Sequence, residues 1–82
     1  MFEGEIVWIS PFFKSRREGF YRIVTISIYG ATPERAKVFL GPENRNYSKW
    51  EPLLREGAVI KNLIWKDRAK ATVDADSPVE IA

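Results

Sequence analysis

Hydrophobic and polar residues alternate along much of the chain, with the period of two that is typical of strands having one buried face. The clearest run covers residues 20–29, where Val24, Ile26 and Ile28 share one side and are expected to form core. The opposite side is mixed in chemistry and carries Tyr21, Ile23, Thr25, Ser27 and Tyr29. This run predicts a long strand with a buried aliphatic face and an outward face.

Four further runs have strand character. Residues 35–40 alternate in the same way, with Val38 and Leu40 predicted inward and Lys37 and Phe39 outward. Residues 2–10 and 58–65 are rich in β-branched and aromatic side chains. Residues 71–75 form the last run, which Pro78 bends before residues 79–81 complete it near a sheet edge. The chain therefore predicts five strands.

A short helix is predicted at residues 48–56, between the third and fourth strands. Ser48 and Glu51 have the spacing of a capping box, Pro52 is tolerated near a first turn, and Gly57 supplies a left-handed stop. Its apolar stripe consists of Trp50, Leu53 and Leu54. The order of elements predicts an all-β fold, a five-stranded Greek-key barrel with one short helix between strands 3 and 4, in a single domain at residues 1–82.

Composition narrows the classes of function. The chain contains neither cysteine nor histidine, so thiolate chemistry and the commonest general base and metal ligand are excluded. No nucleophile–base pair or phosphate-binding glycine loop is evident, and we expect no enzymatic activity, no cofactor and no metal. No apolar run approaches the roughly 20 residues of a membrane span, and we expect a cytoplasmic protein without a membrane partner.

The positive charge is concentrated in the middle of the chain. All thirteen Lys and Arg residues lie between Lys14 and Lys70, and that span holds six of the eleven acidic residues. A basic segment suits a polyanionic partner, although interleaved charges on a solvated surface would give the same count. The absence of glutamine is typical of a thermophilic source.

The strand–helix order, Gly4 early in the first strand, Gly57 after the helix and two basic loops together resemble the oligonucleotide/oligosaccharide-binding (OB) fold. More narrowly, the chain resembles small single-stranded-DNA-binding domains such as archaeal replication-protein-A-like modules. The resemblance implies a ligand on strands two and three, flanked by the loops joining strands one–two and four–five. Those loops are residues 12–18 and 66–70.

The first loop combines two rings with cations, which are Phe12, Phe13, Lys14, Arg16 and Arg17. Binders of single-stranded nucleic acid pair stacking rings with cations in this way. The alternative is that one phenylalanine plugs the barrel mouth and the cations form a solvated hairpin tip.

The outward face of strands two and three supplies Tyr21, Thr25, Ser27, Lys37 and Phe39 to the predicted site. A reversed register would replace Tyr21 by Phe20 and Arg22. The second loop contributes Lys66, Arg68 and Lys70, with Trp65 beside it as a stacking platform.

Three other features are assigned structural roles. Trp8 and Trp50 are expected in the core, because large rings supply much of the burial of a small domain. Asp74 and Asp76 lack further oxygen ligands nearby in sequence and are expected at a solvated edge.

The function we expect is non-catalytic binding of single-stranded nucleic acid, DNA rather than RNA. The alternative is a protein–protein interaction or dimerisation module that uses the exposed edges and the Phe12–Phe13 pair. A double-stranded-DNA binder of the SH3-like type is a weaker third reading, because a helix with two strands after it does not fit that topology.

Overall fold

The structure is a computed structural model that describes residues 1–17 and 19–82. Strands make up 49% of the chain, and the sheet curls strongly into a half-barrel. The strands described are β1 (Phe2–Ile9), β2 (Phe13–Ser15), β3 (Gly19–Tyr29), β4 (Arg35–Leu40), β5 (Val59–Leu63), β6 (Trp65–Asp67), β7 (Thr72–Val73) and β8 (Glu80–Ile81). A single α-helical turn, α1 (Tyr47–Trp50), continues as a 3-10 turn (Glu51–Leu53). The mostly β class predicted from sequence is confirmed.

The strands lie in the order β6-β7-β4-β3-β1-β5-β8, and β2 pairs with β3 beside this path. Strands β1, β3 and β4 are antiparallel neighbours, and residues 41–58 carry the chain past the helix to β5, on the other side of β1. Strand β7 joins β4 in parallel. The predicted run 58–65 is divided into β5 and β6 at Ile64, and the predicted run 71–75 is reduced to β7.

The core lies on the concave side of this curled sheet. Val24, Ile26 and Val38 are fully buried, and Ile28 and Leu40 are nearly or fully buried, as the alternation in residues 20–29 and 35–40 predicted. Ile6, Ile60, Leu63 and Val73 are also fully buried. The inward and outward faces of β3 and β4 are therefore as the sequence indicated.

Gly4 is required by the close contact between β1 and β3. A Cβ atom at this position would lie 2.6 Å from Ile26 Cγ2 and 2.6 Å from the carbonyl oxygen of Ser27. Both distances are well inside van der Waals contact, and one involves backbone that cannot move freely. The glycine lets the two strands meet at the centre of the sheet.

The predicted helix boundaries and the predicted capping box are wrong. The helix begins at Tyr47 after the N-cap Asn46, which makes no side-chain cap hydrogen bond, so Ser48 lies inside the helix. Asn44 starts the turn instead, because its side-chain Oδ1 accepts the N–H of Asn46 and its carbonyl accepts the N–H of Tyr47. Pro52 has no N–H for an α-helical bond, and the chain tightens to 3-10 there. The apolar stripe is confirmed, with Trp50 fully buried.

The first loop is more ordered than predicted. Residues 13–15, assigned to a loop from sequence, form β2, which pairs with the start of β3 as Phe13↔Tyr21 and Ser15↔Gly19. We call β2 and residues 19–21 the arm, since this two-stranded ribbon continues β1 and β3 beyond the core. The predicted loop ended at Glu18, which lies outside the described residues.

Ser10 joins β1 to the arm. Its side chain is buried, and its Oγ accepts the N–H of Ile23 at 2.7 Å while donating to the carbonyl of Pro11 at 2.7 Å. Its own N–H donates to the carbonyl of Ile23 at 2.9 Å. The Ser10 hydroxyl thus takes the place of a backbone carbonyl as acceptor for the N–H of Ile23. Together with the Ser10 N–H, it connects the end of β1 to β3 just before the arm.

The prediction that Trp8 lies in the core is wrong, because its indole is 46% exposed. A bulge between Ile6 and Trp8 is the physical reason. Ile6 pairs with Ile26, but Trp8 pairs with Thr25, so two steps along β1 match one step along β3. The extra residue reverses the faces, and the indole points outward where strict alternation would have buried it.

Candidate nucleic-acid interface

One face of the sheet carries most of the side chains that sequence analysis singled out. Ile23 and Thr25 flank the buried Val24 on β3, and Tyr21 is two residues before Ile23, so all three share the convex side of the strand. Their antiparallel partners point the same way. We call this surface the outer face, consisting of Trp8, Phe13, Tyr21, Ile23, Thr25, Lys37 and Phe39, with Ser27 and its partners Glu5 and Arg35 at the far end.

Three rings form a contact chain across the outer face. The Phe13 and Tyr21 centroids are 5.7 Å apart with ring planes at 45°, and those of Tyr21 and Phe39 are 6.3 Å apart at 55°. Phe13 is 40% exposed and Phe39 44% exposed. A groove of about 340 Å³ lies beside them, lined by Ser15, Phe20, Tyr21 and Phe39. The structure thus brings together three rings that the sequence placed in separate segments.

Two basic side chains lie on β4 next to the aromatic cluster of Phe13, Tyr21 and Phe39. Lys37 pairs with Thr25, and Arg35 pairs with Ser27, so both basic side chains stand on the outer face. A second groove, of about 200 Å³, is lined by Thr25, Arg35, Ala36, Lys37 and Ala71. Arg35 was not predicted as a site residue, although the alternation that placed Lys37 and Phe39 outward also applies to it.

Phe12 and Phe13 point to different places. Phe12 lies with its ring 4.2 Å below the guanidinium carbon of Arg22 and its centroid 6.5 Å from that of Tyr47. The Arg22 Nε also donates to the carbonyl of Ser10 at 3.3 Å. Phe12 therefore packs near the helix at the end of the barrel, while Phe13 belongs to the outer face.

The cations of the first loop lie on the arm. Lys14 pairs with Phe20 on the side of the ribbon opposite Phe13, and Arg16 and Arg17 form the turn that follows. All three are exposed. They place positive charge at the arm end of β3, with Lys14 on the side of the ribbon away from the outer face.

The second predicted loop lies at the other end of the outer face. Lys66 belongs to β6, and Arg68 and Lys70 lie in the turn before β7, which runs parallel to β4. Arg68 is held in place, since its Nε donates to the carbonyl of Thr32 at 2.7 Å and its NH2 group to Thr32 Oγ1 at 3.3 Å. The two basic segments thus lie at opposite ends of β3 and β4.

Trp65 is not brought to the outer face. It pairs with the buried Val73, and its ring stacks on Phe2 with centroids 4.6 Å apart and planes at 29°. Both rings are partly buried against the core. Trp65 closes the end of the barrel away from the arm.

The outer face ends in acidic residues at the start of β1. Glu5 pairs with Ser27, and the Tyr29 hydroxyl donates to Glu5 Oε1 at 2.9 Å. That hydrogen bond, with smaller effects of burial and of the carboxylate charge, raises the pKa of the Tyr29 phenol. A polyanion would be repelled from this corner.

We predict that the Tyr29 phenol ionises above its ordinary pKa of 10.0. The raised pKa means that the Glu5 bond stabilises the fold fully below pH 10.0, and that this contribution is lost as pH rises through the raised pKa. Glu5→Gln should return the pKa towards its ordinary value. Phenolate absorbance in alkaline titration, with Glu3→Gln as the control, would measure the shift; equal curves for the wild type and Glu5→Gln would contradict it.

Asp74 and Asp76 shape a turn. Asp74 Oδ1 accepts the N–H of Asp76 at 2.8 Å, and Asp76 accepts a hydrogen bond from the Asn46 side chain. Within residues 1–17 and 19–82, no three acidic side chains gather closely enough to hold a metal ion. In the same ranges, no helix has the length and apolarity to cross a bilayer.

No protein-family model matches the chain, and no curated protein or solved structure is significantly similar to it. Sequence reasoning missed Trp8 and the strand at residues 13–15 on the outer face. No sequence signal marks the bulge that exposes Trp8, whereas Phe13, Lys14 and Ser15 follow a strand-like alternation that a turn at residues 16–17 could have indicated.

Proposed function

We propose that this protein binds single-stranded nucleic acid without catalysis, DNA in preference to RNA, through the outer face and the basic segments at its two ends. The observation that supports this most is the contact chain of the exposed Phe13 and Phe39 rings with the half-buried Tyr21 between them, continued along β4 by Lys37 and Arg35. Stacking rings followed by cations are the combination that such binders use.

The proposal includes the finer fold, a five-stranded Greek-key barrel of the OB type. The antiparallel order β4-β3-β1-β5 supports it, since three hairpin-connected strands are followed by one that returns beside the first. The fifth strand is then β7, and β5 and β6 count as one strand interrupted at Ile64. In OB domains the second and third strands bind the ligand, and these correspond to β3 and β4.

A single strand fits this surface better than a duplex. Rings can stack only on bases whose faces are uncovered, and a double helix keeps its base faces stacked on each other. The outer face also offers no protruding helix to enter a major groove. The exposed rings therefore favour unpaired bases.

The ligand would run from the arm to the turn before β7. Phe13, Tyr21 and Phe39 lie at the arm end, Lys37 and Arg35 follow, and the basic turn with Arg68 and Lys70 stands at the far end. β3 has eleven residues, which at about 3.3 Å each gives a path of roughly 35 Å. This length suits a site of the size found on single OB domains, about 4–16 nucleotides.

The binding experiment is a titration of the folded protein with a labelled oligo-dT of about 20 nucleotides at several salt concentrations. We expect saturation with a dissociation constant below about 1 mM at low salt, and a linear decrease of log affinity with log salt. The slope should be about −0.7 for each phosphate neutralised. Lys37→Met should reduce the slope by about one phosphate contact, whereas Lys49→Met on the helix should leave it unchanged.

Duplex DNA of the same length is the comparison ligand, and single-stranded RNA tests the preference for DNA. Failure of oligo-dT to saturate the protein at low salt would overturn the proposal. Tighter binding of the duplex would replace it with a double-stranded-DNA binder.

A protein-interaction or dimerisation module is the second candidate, and one observation favours it. In the described residues β2 pairs with β3 along one of its edges, which leaves its other edge unpaired. Phe13 is the first residue of β2, and its ring is exposed. An exposed strand edge can pair with an extended segment of another chain, including a second copy. Sedimentation of the wild type with and without oligo-dT distinguishes the two, because a dimer that ignores the oligonucleotide supports this candidate.

A further inference from the structure

The side chain of Trp8 is exposed to solvent because the register between β1 and β3 changes next to it. Its side chain is 46% exposed, although burial of an indole would stabilise a domain of this size. The bulge between Ile6 and Trp8 turns it from the core side to the outer face. Bulges that change the direction of a side chain are frequent beside functional sites. The exposed indole of Trp8 is therefore a candidate for contact with a ligand.

The neighbours of Trp8 place it in an ordered array. Trp8, Thr25 and Lys37 form one row across β1, β3 and β4. The next row towards the arm is Ile23 with Phe39, and the row after it is Phe13 with Tyr21. Thr25 and Tyr21 are four residues apart, so Trp8 stands about 13 Å from Phe13 along the same side of β3.

The two sides of β3 differ in chemistry. On the β1–β2 side the outer face presents the rings of Trp8 and Phe13, and on the β4 side it presents the cations Lys37 and Arg35 beyond Phe39. Rings on one side and cations on the other match a strand that lies along β3 with its bases towards β1 and its phosphates towards β4. Glu5, one row beyond Trp8, limits this base side with a carboxylate.

We propose that Trp8 is a second stacking platform for single-stranded nucleic acid, separate from the cluster of Phe13, Tyr21 and Phe39. Its position then determines on which side of β3 the bases lie. This inference rests on the proposed function. Its ligand is an unpaired base one or a few nucleotides beyond those on the cluster, with the intervening phosphates near Lys37.

Tryptophan fluorescence tests the inference directly. Trp50 is fully buried, and Trp65 is stacked on Phe2, so Trp8 is the tryptophan placed to contact an added oligonucleotide at the outer face. We expect oligo-dT to quench the wild-type emission during saturation. An equal concentration of an abasic oligonucleotide should quench it much less, because it carries phosphates without bases.

Variants measure the contribution to affinity. Trp8→Ala should weaken oligo-dT binding by about 5- to 150-fold, the range expected for one stacked base. Trp8→Phe should retain most of the affinity while losing the quenching, since a ring remains but the reporter is gone. Tyr29→Ala is the matched control, because that ring has similar exposure on the same face but lies beside Glu5, and its affinity should stay within about twofold.

The outcomes separate the two proposals. If oligo-dT saturates the wild type by a labelled-ligand assay, but Trp8→Ala binds equally well and no emission is quenched, the inference about Trp8 is overturned and the proposed function stands. If the wild type does not saturate at all, both are overturned. The wild-type quenching keeps the test valid should Trp8→Ala fold poorly.

Discussion

Replacing Tyr21 and Phe39 together by alanine is expected to weaken binding of single-stranded oligo-dT by at least about 30-fold. Each stacked base is worth about 1–3 kcal/mol, so two lost rings remove about 2–6 kcal/mol. The two rings contact each other at a centroid distance of 6.3 Å and line the same groove. Because they act as a pair, the effect of the double variant need not equal the sum of the single ones. Fluorescence anisotropy of labelled oligo-dT with each single and the double variant measures the loss.

Phe12→Ala is the matched control for this prediction. Phe12 is the same residue type, is next to Phe13 and is 43% exposed, but its ring lies under Arg22 and near Tyr47 at the barrel end. Its removal should lower the melting temperature while changing affinity by less than about twofold. An unchanged affinity in the Tyr21 and Phe39 double variant, with the melting temperature preserved, would remove the outer face from nucleic-acid binding.

The sequence predicted the parts of the fold that depend on strict alternation. In β3 and β4 each buried residue is aliphatic, so a period of two was sufficient to place Val24, Val38, Lys37 and Phe39 on the correct sides. The antiparallel pairing of these strands then brings Tyr21 near Phe39. This is why half of the outer face could be assembled from the pattern alone.

The errors occur where an unpaired residue or a side chain replaces a regular backbone contact. At Trp8 one extra residue in β1 reverses the pattern, and nothing in the residues Val7–Trp8 announces a bulge. At Asn44 a side-chain amide begins the turn into the helix, and it overrides the capping potential of Ser48. Such choices depend on tertiary contacts and are not visible in local propensity.

The site predictions also separate by structural role. Lys14, Arg16 and Arg17 lie at the arm, and Lys66 and Lys70 lie at the far end, so the two basic segments are at opposite ends of β3 and β4. Arg68 and Trp65 instead have contacts within the protein, to Thr32 and Phe2. Arg68 still places a positive charge at the far end of the outer face, whereas Trp65 stabilises the end of the barrel away from the arm.

Trp50→Ala is expected to be the most destabilising of the variants described, with a loss of about 3–5 kcal/mol in the free energy of unfolding. The indole is fully buried, and its Nε1 donates to the carbonyl of Ala75 at 2.8 Å. It therefore joins the short helix to the turn at residues 74–77. The same turn contacts Ile64, the residue that separates β5 from β6. Ser77 makes that second contact, since its Oγ accepts the N–H of Ile64 at 3.0 Å.

Urea unfolding followed by circular dichroism measures this loss, and the melting temperature should fall by more than about 12 °C for a domain of this size. Trp8→Ala is the control, because it deletes the same indole from an exposed position and should cost far less stability. Trp50→Phe separates the two contributions at the buried site: it keeps a ring in the core but loses the donor to Ala75, so it should be destabilised by an intermediate amount. Equal stability of Trp50→Ala and Trp8→Ala would mean that the helix does not seal the barrel, and that its apolar stripe contributes little to the core.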